Sequence, residues 1–381
     1  MLEEVLLLVK EGILKQDKNL RWGYTTGTCA AAAAEAALVK LLLGESLAEA
    51  PVELPGGGIL QVPIKSVSID GQCARAEVVK DAGDDPDVTH GISIFAEAIL
   101  LPGGDIEITG GRGVGRVTKP GLAVPVGEPA INPVPRQMIV QAARKVLPYG
   151  TGARITISVP AGETLAGKTL NGRLGIVGGI SILGTSGIVR PMSEEAYLDS
   201  LIPQIDQALA LGHKVMVLTP GGMGANKAKE LGFPEDAIIQ TSNFIGAMLK
   251  ECSLRQVEGI LLFGHIGKLI KVAAGVFHTH SRVADARRET LAAHAAMCGA
   301  PRELILKIME LNTVEASIEL MQEHGLMKVY ESIAQWASKR ALEAAGDKVR
   351  VGTVVYALTG EILGYDHEAL SLGRELGWQV K

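Results

Sequence analysis

A small set of residues before an alanine run has the chemistry to bind an anion, in the segment GYTTGTCAAAAA (residues 23–34). Alanine has the highest helix propensity and a threonine hydroxyl can cap a helix start, so we expect a helix that begins near Cys29 with Thr28 as its cap. The first amides of a helix lack partners within it and lie at the positive end of its dipole. The pattern therefore predicts an anion site, with a capped helix in a tightly packed interior as the alternative. The predicted anion-binding residues are Thr25, Thr26, Gly27 and Thr28.

Four aspartates lie close to a histidine in KDAGDDPDVTHG (residues 80–91). Like charges at this spacing raise the pKa of at least one carboxyl group, as a general base requires. We expect Asp84 or Asp85 to accept a proton and Asp81 and His90 to contact a substrate. An exposed Asp/Pro/Gly turn is the alternative.

A third group of polar residues lies in GGRGVGRVTKPGL (residues 110–122) and GEPAINPVPRQMI (residues 127–139). Their side chains, with the backbone amides of Gly113 and Gly115, suit carboxylates or phosphates. A solvated basic hairpin is the alternative. The predicted donors are Arg116, Lys119, Asn132 and Arg136.

A fourth group follows in HIGKLIKVAAGVFHTHSR (residues 265–282). His278 and His280 share a face if the segment is extended, and both are predicted to contact substrate. A metal site needs a third ligand that the sequence does not place, so anion binding is favoured and no protein-bound metal is expected. His265 is a further candidate for a proton acceptor.

Composition restricts the class of protein. A chain of 381 residues predicts two domains, and a net charge of −5 without a long basic block argues against nucleic-acid binding. Four distant cysteines without a C-x-x-C pair favour reduced thiols and a cytoplasmic location. The start, MLEEVLLLVKEGILK, predicts a short amphipathic helix and lacks signal-peptide features. No segment reaches 18 uninterrupted apolar residues, so no membrane partner is expected. The oligomeric state stays open, a homo-oligomer included.

Two domains are predicted from the order of elements. Residues 1–160 carry an alanine-rich helix ended by Gly44, several short β-branched strands and a helix at 134–146, which indicates an α+β domain with a mostly antiparallel sheet. Residues 161–381 alternate strands, glycine-rich turns and helices, which indicates a doubly wound, Rossmann-like domain with a parallel sheet and extra helices. A terminal hairpin is expected in VGTVVYALTGEILGYD (residues 351–366).

Four small polar loops are expected at the carboxyl ends of those parallel strands, where ligands bind in open α/β sheets. They are GTSG (184–187), TPGG (219–222), TSN (241–243) and GHIGK (264–268). We predict a cofactor crevice there, although no G-x-G-x-x-G or G-K-[ST] motif names the cofactor. The predicted cofactor-binding residues are Gly184, Thr185, Ser186, Gly187, Gly221, Gly222, Ser242, Asn243 and Gly264.

Six stretches together resemble the cobalt-precorrin-5B C(1)-methyltransferase family of anaerobic cobalamin biosynthesis. They are GYTTGTCAAAAAEAA, DAGDDPDVTHG, GVGRVTKPGL, GEPAINPVPRQMI, GGISILGTSGIVRPMS and GHIGKLIKVAAGVFHTHSRVADAR. The resemblance implies an enzyme that transfers a methyl group from S-adenosylmethionine to ring carbon C-1 of a cobalt-containing tetrapyrrole. It implies a tetrapyrrole-binding first domain, an S-adenosylmethionine-binding second domain, and cobalt carried by the substrate.

Two other functions compete with this interpretation. A small-molecule kinase would seat the triphosphate of ATP at the start of the alanine helix, with Asp84 or Asp85 holding magnesium. A non-catalytic tetrapyrrole carrier would keep the carboxylate-binding residues and bind no methyl donor.

Overall fold

The computed structural model of the protein describes residues 20–346 and 349–378. The helix predicted at the start of the chain lies outside these residues. The chain divides into two compact units between Glu194 and Glu195.

The first unit combines one long buried helix with several sheets. Its strands are β1 (Gly23–Tyr24), β2 (Glu49–Glu53), β3 (Ile59–Pro63), β4 (Ser66–Asp70), β5 (Cys73–Val79), β6 (Ser93–Gly110), β7 (Gly113–Val114), β8 (Arg116–Val117), β9 (Thr151–Ser158), β10 (Ile176–Val177), β11 (Gly179–Ile180) and β12 (Ile188–Val189). Its helices are α1 (Thr26–Leu43), α2 (Pro133–Val146) and the one-turn α3 (Gly162–Leu165), which a 3₁₀ turn (Ala166–Lys168) follows.

The largest sheet of this unit has the order β4-β5-β6-β9, and every neighbouring pair is antiparallel. Alternate residues of β5 and of the first half of β6 are buried, so one face of the sheet forms the core. In register on that face lie Ala76, Ala96 and Ile157. Small side chains there let α1, itself rich in alanine, pack closely on the sheet.

Helix α1 is the centre of the first core. It begins at Thr26, three residues before the predicted start, because Thr25 is the cap: the Thr28 N–H donates to Thr25 Oγ1 at 3.2 Å. It ends at Gly44 as predicted, where φ is 74° and the N–H donates to Lys40 O. Every residue from Thr26 to Val39 is buried. Among the described residues, α1 alone has the length and apolarity to cross a membrane, but 78% of it is buried in the protein, as a core helix of this kind would be.

The end of the first unit differs from the predicted boundary at residue 160. Residues beyond it pair with earlier strands of the same unit: β10 with β8, β11 with β7 and β12 with β1. The stretch IVGGISILGTSG (residues 176–187), expected to open the parallel sheet, therefore belongs to the first unit. Its local composition suits a strand of either unit, so the strands with which it pairs decide the unit to which it belongs.

The second unit contains one five-stranded sheet surrounded by helices. Its strands are β13 (Val215–Thr219), β14 (Ile238–Gln240), β15 (Gly259–His265), β16 (Arg350–Tyr356) and β17 (Ile362–Tyr365). Its helices are α4 (Glu194–Leu201), α5 (Pro203–Ala210), α6 (Gly222–Glu230), α7 (Ile245–Leu254), α8 (Ile266–Ala273), α9 (Arg287–Met297), α10 (Arg302–Glu310), α11 (Ser317–Glu323), α12 (Lys328–Ala345) and α13 (His367–Glu375).

The sheet order is β14-β13-β15-β16-β17, parallel except for the antiparallel edge strand β17. Val217, Phe263 and Tyr356 face α6 and α13 in one core, whereas α8 and α12 contact strands β15 and β16. The predicted hairpin at 351–366 is present as β16–β17, but it does not close the described chain, because α13 follows it. Asp366 caps that helix, accepting from the Ala369 N–H at 2.7 Å.

Two helices predicted as continuous are interrupted. The one expected at 194–211 breaks before Pro203, which lacks the N–H that would continue the helix. The one expected at 302–322 is split into α10 and α11, where Leu311 adopts an extended conformation.

Candidate functional site

Three of the sequence motifs meet in the first unit. Strand β1 pairs with β12, so Gly23 lies opposite Val189, and Trp22 forms a β-bridge with Gly83. Segments 21–28, 81–91 and 183–192, which we call the N-terminal site, therefore lie side by side. Helix α2 begins next to them, because the Asn132 N–H donates to Ile182 O at 3.1 Å.

The predicted anion site at the start of α1 is occupied by the protein's own backbone. The Gly27 N–H donates to Leu183 O at 2.9 Å, and Thr26 Oγ1 accepts from the Leu183 N–H at 2.8 Å. The Thr28 hydroxyl, fully buried, donates to Gly187 O at 2.5 Å. These bonds favour the interior alternative, and the binding of substrate by Thr25, Thr26, Gly27 and Thr28 stays a prediction. The same bonds argue against the triphosphate seat of the kinase hypothesis.

Replacing Thr28 by valine is expected to lower the free energy of unfolding by about 0.5–1.5 kcal/mol, since the buried Gly187 carbonyl then keeps only the Thr25 N–H as its donor. Urea unfolding measures this. Thr164, whose exposed hydroxyl donates to Ala161 O, is the matched control, and Thr164→Val should change stability by less than about 0.5 kcal/mol. A Thr28→Val protein of unchanged stability that binds tetrapyrrole poorly would restore the anion-site interpretation.

Close backbone contact explains the glycines of this site. A Cβ atom on Gly83, whose φ is 66°, would overlap Arg21 O, and one on Gly23 would overlap the Ala82 backbone. Both positions must therefore be glycine for the two segments to touch.

The acidic loop is ordered by ion pairs. Asp81 pairs with the Arg21 guanidinium and accepts from the Gly83 N–H, and its bond to Arg21 holds the pKa of the Asp81 carboxyl below its usual range. Burial raises the pKa of Asp87, but the Lys80 ammonium, 2.6 Å away, outweighs burial and leaves that pKa lowered. For these two carboxyls the expected rise in pKa is wrong, because each aspartate faces a cation. His90 accepts from the Ala82 N–H through Nδ1.

Asp84 and Asp85 have different surroundings. Asp84 is exposed, and its Oδ2 accepts from the Arg21 N–H at 2.7 Å. Asp85 is half-buried, and its Oδ2 accepts from the Met192 N–H at 2.9 Å. Its Oδ1 accepts no hydrogen bond from the residues that the structure describes. Asp85 is therefore anchored through one oxygen, with the other left to act as an acceptor.

Three residues at this site were missed by the sequence analysis. Trp22 is 57% exposed, and the Arg190 guanidinium lies 5.3 Å from the centre of its ring. Met192 is 68% exposed. A flat apolar surface beside a cation can bind a flat anionic ligand. The available signal was a tryptophan directly before GYTTG in a chain with only 4% aromatic residues.

The other predicted hydrogen-bond donors of the first unit lie in two separate places. Asn132 lies at the N-terminal site, and Arg136, one turn later in α2, donates to Ile108 O. Arg116 instead donates to Gly127 O, and the Lys119 side chain lies against Gly175.

The amides of Gly113 and Gly115 were expected to cradle an anion. The Gly115 N–H donates to Ile180 O at 2.8 Å. A Cβ on Gly113 would overlap Val159 O. These glycines allow chain segments to pack closely and do not form a loop open to an anion.

A second set of loops meets in the second unit. Strands β13, β14 and β15 are parallel, so their carboxyl ends lie at one edge of the sheet. The loop at 277–280 joins that edge: Phe244 bridges His278, and the Thr279 N–H donates to Asn243 O. We call residues 219–224, 241–244, 264–268 and 277–287 the C-terminal site. Residues Gly184, Thr185, Ser186 and Gly187, predicted to belong here, lie in the first unit beside Thr25.

His265 is engaged through both ring nitrogens. Its Nδ1 accepts from the Gly267 N–H at 3.2 Å, which caps α8, so Nε2 carries the proton and donates to Glu315 Oε2 at 2.7 Å. Glu315 Oε1 also accepts from the Leu358 N–H at 2.8 Å. In this structure His265 therefore joins the loops after β15 and β16, and its role as a proton acceptor stays a prediction. The other two predicted proton acceptors, Asp84 and Asp85, lie in the first unit.

The remaining predicted residues line the C-terminal site. The His278 ring meets Phe244 edge-on at 5.2 Å, and the His280 ring lies 6.4 Å from that of His278. In residues 20–346 and 349–378, no three His, Cys, Asp or Glu side chains are grouped to hold a metal ion. Space is open around Gly221 and almost open around Gly222, whereas Gly264 packs against Leu269.

Comparison with known proteins connects both sites to one family. The family model described as CbiD matches residues 13–191, and that described as CbiD, C-terminal domain, matches residues 278–367. Proteins named Cobalt-precorrin-5B C(1)-methyltransferase are similar along nearly the whole chain. The one from Moorella thermoacetica is 51% identical over 95% of this chain and 99% of its own, and the one from Desulfitobacterium hafniense is 50% identical over 95% and 94%.

A third protein of that name, from Methanocaldococcus jannaschii, is 46% identical over 91% of this chain and 96% of its own. A solved structure, the cobalamin biosynthesis protein CbiD of Archaeoglobus fulgidus, is 32% identical, covering 71% of this chain and 84% of its own with a TM-score of 0.37. Because the relatives from Moorella thermoacetica, Desulfitobacterium hafniense and Methanocaldococcus jannaschii are 46–51% identical over at least 91% of this chain, the chain belongs to the CbiD family.

Proposed function

We propose that this protein transfers the methyl group of S-adenosylmethionine to ring carbon C-1 of cobalt-precorrin-5B, giving cobalt-precorrin-6A, in anaerobic cobalamin biosynthesis. The observation that carries the proposal is the 51% identity to a protein named for this activity, over 95% of this chain and 99% of the relative. The enzyme is a C-methyltransferase, and the cobalt belongs to its substrate.

The tetrapyrrole is assigned to the first unit, at the N-terminal site. The support is chemical: the macrocycle is flat and rimmed with carboxylates, and this site offers the partly exposed ring of Trp22 with the Arg190 guanidinium over one of its faces. Asp85 lies at the same site, through its bond to Met192, and has an oxygen to accept a proton from the ring system. Asp81, His90 and Asn132 position the segments around them.

Replacing Trp22 by alanine is expected to weaken tetrapyrrole binding about 30-fold, because about 2 kcal/mol of apolar contact is lost. Fluorescence titration with the tetrapyrrole measures the dissociation constant. Tyr149, a fully exposed aromatic residue of the first unit, gives the control Tyr149→Ala, and Trp22→Phe should keep most of the affinity. Equal dissociation constants for Trp22→Ala and the parent would remove Trp22 from the site.

S-Adenosylmethionine is assigned to the C-terminal site of a Rossmann-like second unit. The support is a largely parallel sheet with helices against both faces, and loops gathered at the carboxyl edge where such sheets bind ligands. The open space at Gly221 and Gly222 suits a ligand that approaches the backbone, and Ser242 and Asn243 add polar side chains. When bound, the cofactor supplies the electrophilic methyl group. The protein's part is to hold and orient it.

Thermal unfolding with S-adenosylhomocysteine, and separately with magnesium and ATP, tests the proposed function. Ligand at about 100 times its dissociation constant adds roughly 2.7 kcal/mol, which raises the midpoint by several degrees. A shift with S-adenosylhomocysteine, followed by methyl transfer to cobalt-precorrin-5B, is the expected result. A shift with nucleotide alone would favour the kinase. Tetrapyrrole binding without any effect of S-adenosylhomocysteine would favour the carrier.

A further inference from the structure

Three cations gather at the C-terminal site around Lys268. Lys268 and Lys271 lie on α8, and Arg287 begins α9. Arg287 is paired with Asp285 through two bonds, Nε to Oδ1 and Nη2 to Oδ2, each 2.7 Å long. The Lys271 ammonium, deeply buried, donates to the carbonyls of Thr279 and Ala284. Positive charge therefore exceeds negative charge in this cluster.

Lys268 has no carboxylate partner among the described residues. Its Nζ donates to the neutral Asn243 Oδ1 at 2.6 Å. The side chain is half-buried, and burial together with the charges of Lys271 and Arg287 lowers the pKa of Lys268. An ammonium held in this way is favourable for an incoming anion, because the anion supplies the missing counter-charge.

The partner of Lys268 is fixed by its surroundings. Asn243 O accepts from the Thr279 N–H at 3.0 Å, and Asn243 Oδ1 also accepts from the Thr279 hydroxyl at 3.3 Å. The preceding residue, Ser242, has a φ of 51°, in the left-handed region that non-glycine residues rarely adopt. Such strained positions occur often at binding sites. The turn therefore holds Asn243, and through it the Lys268 ammonium, at the carboxyl edge of the sheet.

We propose that Lys268, oriented by Asn243, binds a carboxylate group of a ligand at the C-terminal site. This inference rests on the proposed function for the source of that carboxylate, which is the methionine part of S-adenosylmethionine. Lys271 and Arg287 supply the surrounding positive field.

The experiment compares Lys268→Met with the parent protein and with Lys250→Met, which removes an exposed lysine of α7. Calorimetric titrations use S-adenosylhomocysteine, which has the carboxylate, methylthioadenosine, which lacks it, and uroporphyrin, a polycarboxylated tetrapyrrole. Citrate, tested by thermal shift against chloride at equal ionic strength, probes the carboxylate site without either proposed ligand. Lys268→Arg, which keeps the charge, should retain most of the affinity.

If Lys268 binds the carboxylate of the methyl donor, Lys268→Met weakens the binding of S-adenosylhomocysteine about 10- to 100-fold and leaves the binding of methylthioadenosine unchanged. Weaker binding of uroporphyrin alone would overturn the assignment to S-adenosylmethionine. A citrate shift that Lys268→Met abolishes and Lys250→Met keeps supports the carboxylate site, whatever the other ligands do. If the parent protein binds neither S-adenosylhomocysteine nor uroporphyrin, the proposed function is removed, but the carboxylate site is not. Equal responses of Lys268→Met and Lys250→Met to every probe would overturn the inference.

Discussion

Replacing Asp87 by alanine is expected to lower the free energy of unfolding of the first unit by about 3–5 kcal/mol. The Lys80 side chain is only 1% exposed, and its ammonium bonds Asp87 Oδ2 at 2.6 Å. Without Asp87, that charge stays buried with no counter-ion. Asp87 Oδ1 also accepts from the Thr89 N–H and hydroxyl, so the loop that carries Asp84 and Asp85 loses its anchor as well. Equilibrium urea unfolding measures the loss.

The control for Asp87→Ala is Glu163→Ala, which breaks the exposed ion pair with Arg112 and should cost less than about 1 kcal/mol. Removing both charges with Lys80→Met/Asp87→Leu should cost less than the two single changes combined, because no unpaired charge remains. A loss for Asp87→Ala no greater than that for Glu163→Ala would show that the Lys80 ammonium reaches water when Asp87 is absent.

The contribution of the Lys80–Asp87 ion pair to the free energy of unfolding should depend on pH. The pKa of Asp87 is lowered in the folded protein, despite burial, by Lys80 and the hydrogen bonds of Thr89. Its stabilising effect is therefore complete above the unfolded pKa, about 4, and is lost as the pH falls through the lower folded pKa. The difference in stability between parent and Asp87→Ala should be constant from neutral pH to about pH 5 and shrink below about pH 4.

Replacing Asp85 by asparagine is expected to lower the single-turnover rate of methyl transfer by about 100-fold or more. The amide oxygen of asparagine can still accept from the Met192 N–H, so the loop should stay in place while the proton acceptor is lost. The residual rate of the variant then measures methyl transfer without this acceptor. Rapid-quench measurement of parent and variant gives both rates.

Asp70→Asn, which alters an exposed carboxylate outside the N-terminal site, is the control and should keep the parent rate. Unfolding of Asp85→Asn in urea should match the parent to within about 0.5 kcal/mol. Asp84→Asn separates the two neighbours, since Asp84 is exposed and bonded to the Arg21 backbone. A parental rate for Asp85→Asn would exclude Asp85 as the base, and a slow Asp84→Asn would then assign that role to Asp84.

The sequence by itself determined the local elements and the family. The alanine run specifies α1 and Gly44 its end, because propensity and capping act within a few residues. The strands at 215–219, 238–240 and 259–265 followed from apolar runs bounded by glycine-rich turns. The six motifs likewise sufficed for the resemblance, since a motif is a property of the residue order alone.

Only the tertiary structure decided which segments meet. The carbonyls that occupy the start of α1 come from residues 157 and 159 positions away, a pairing that no local pattern encodes. The loop at 184–187 resembled those at the sheet edge in composition, yet strand pairing put it in the other unit. His265 and Lys268 both had the chemistry of functional residues. His265 is bonded to Glu315, which is distant in sequence, whereas Lys268 is bonded to the neutral amide of Asn243. Burial and long-range partners therefore determine which of these groups can still bind a ligand.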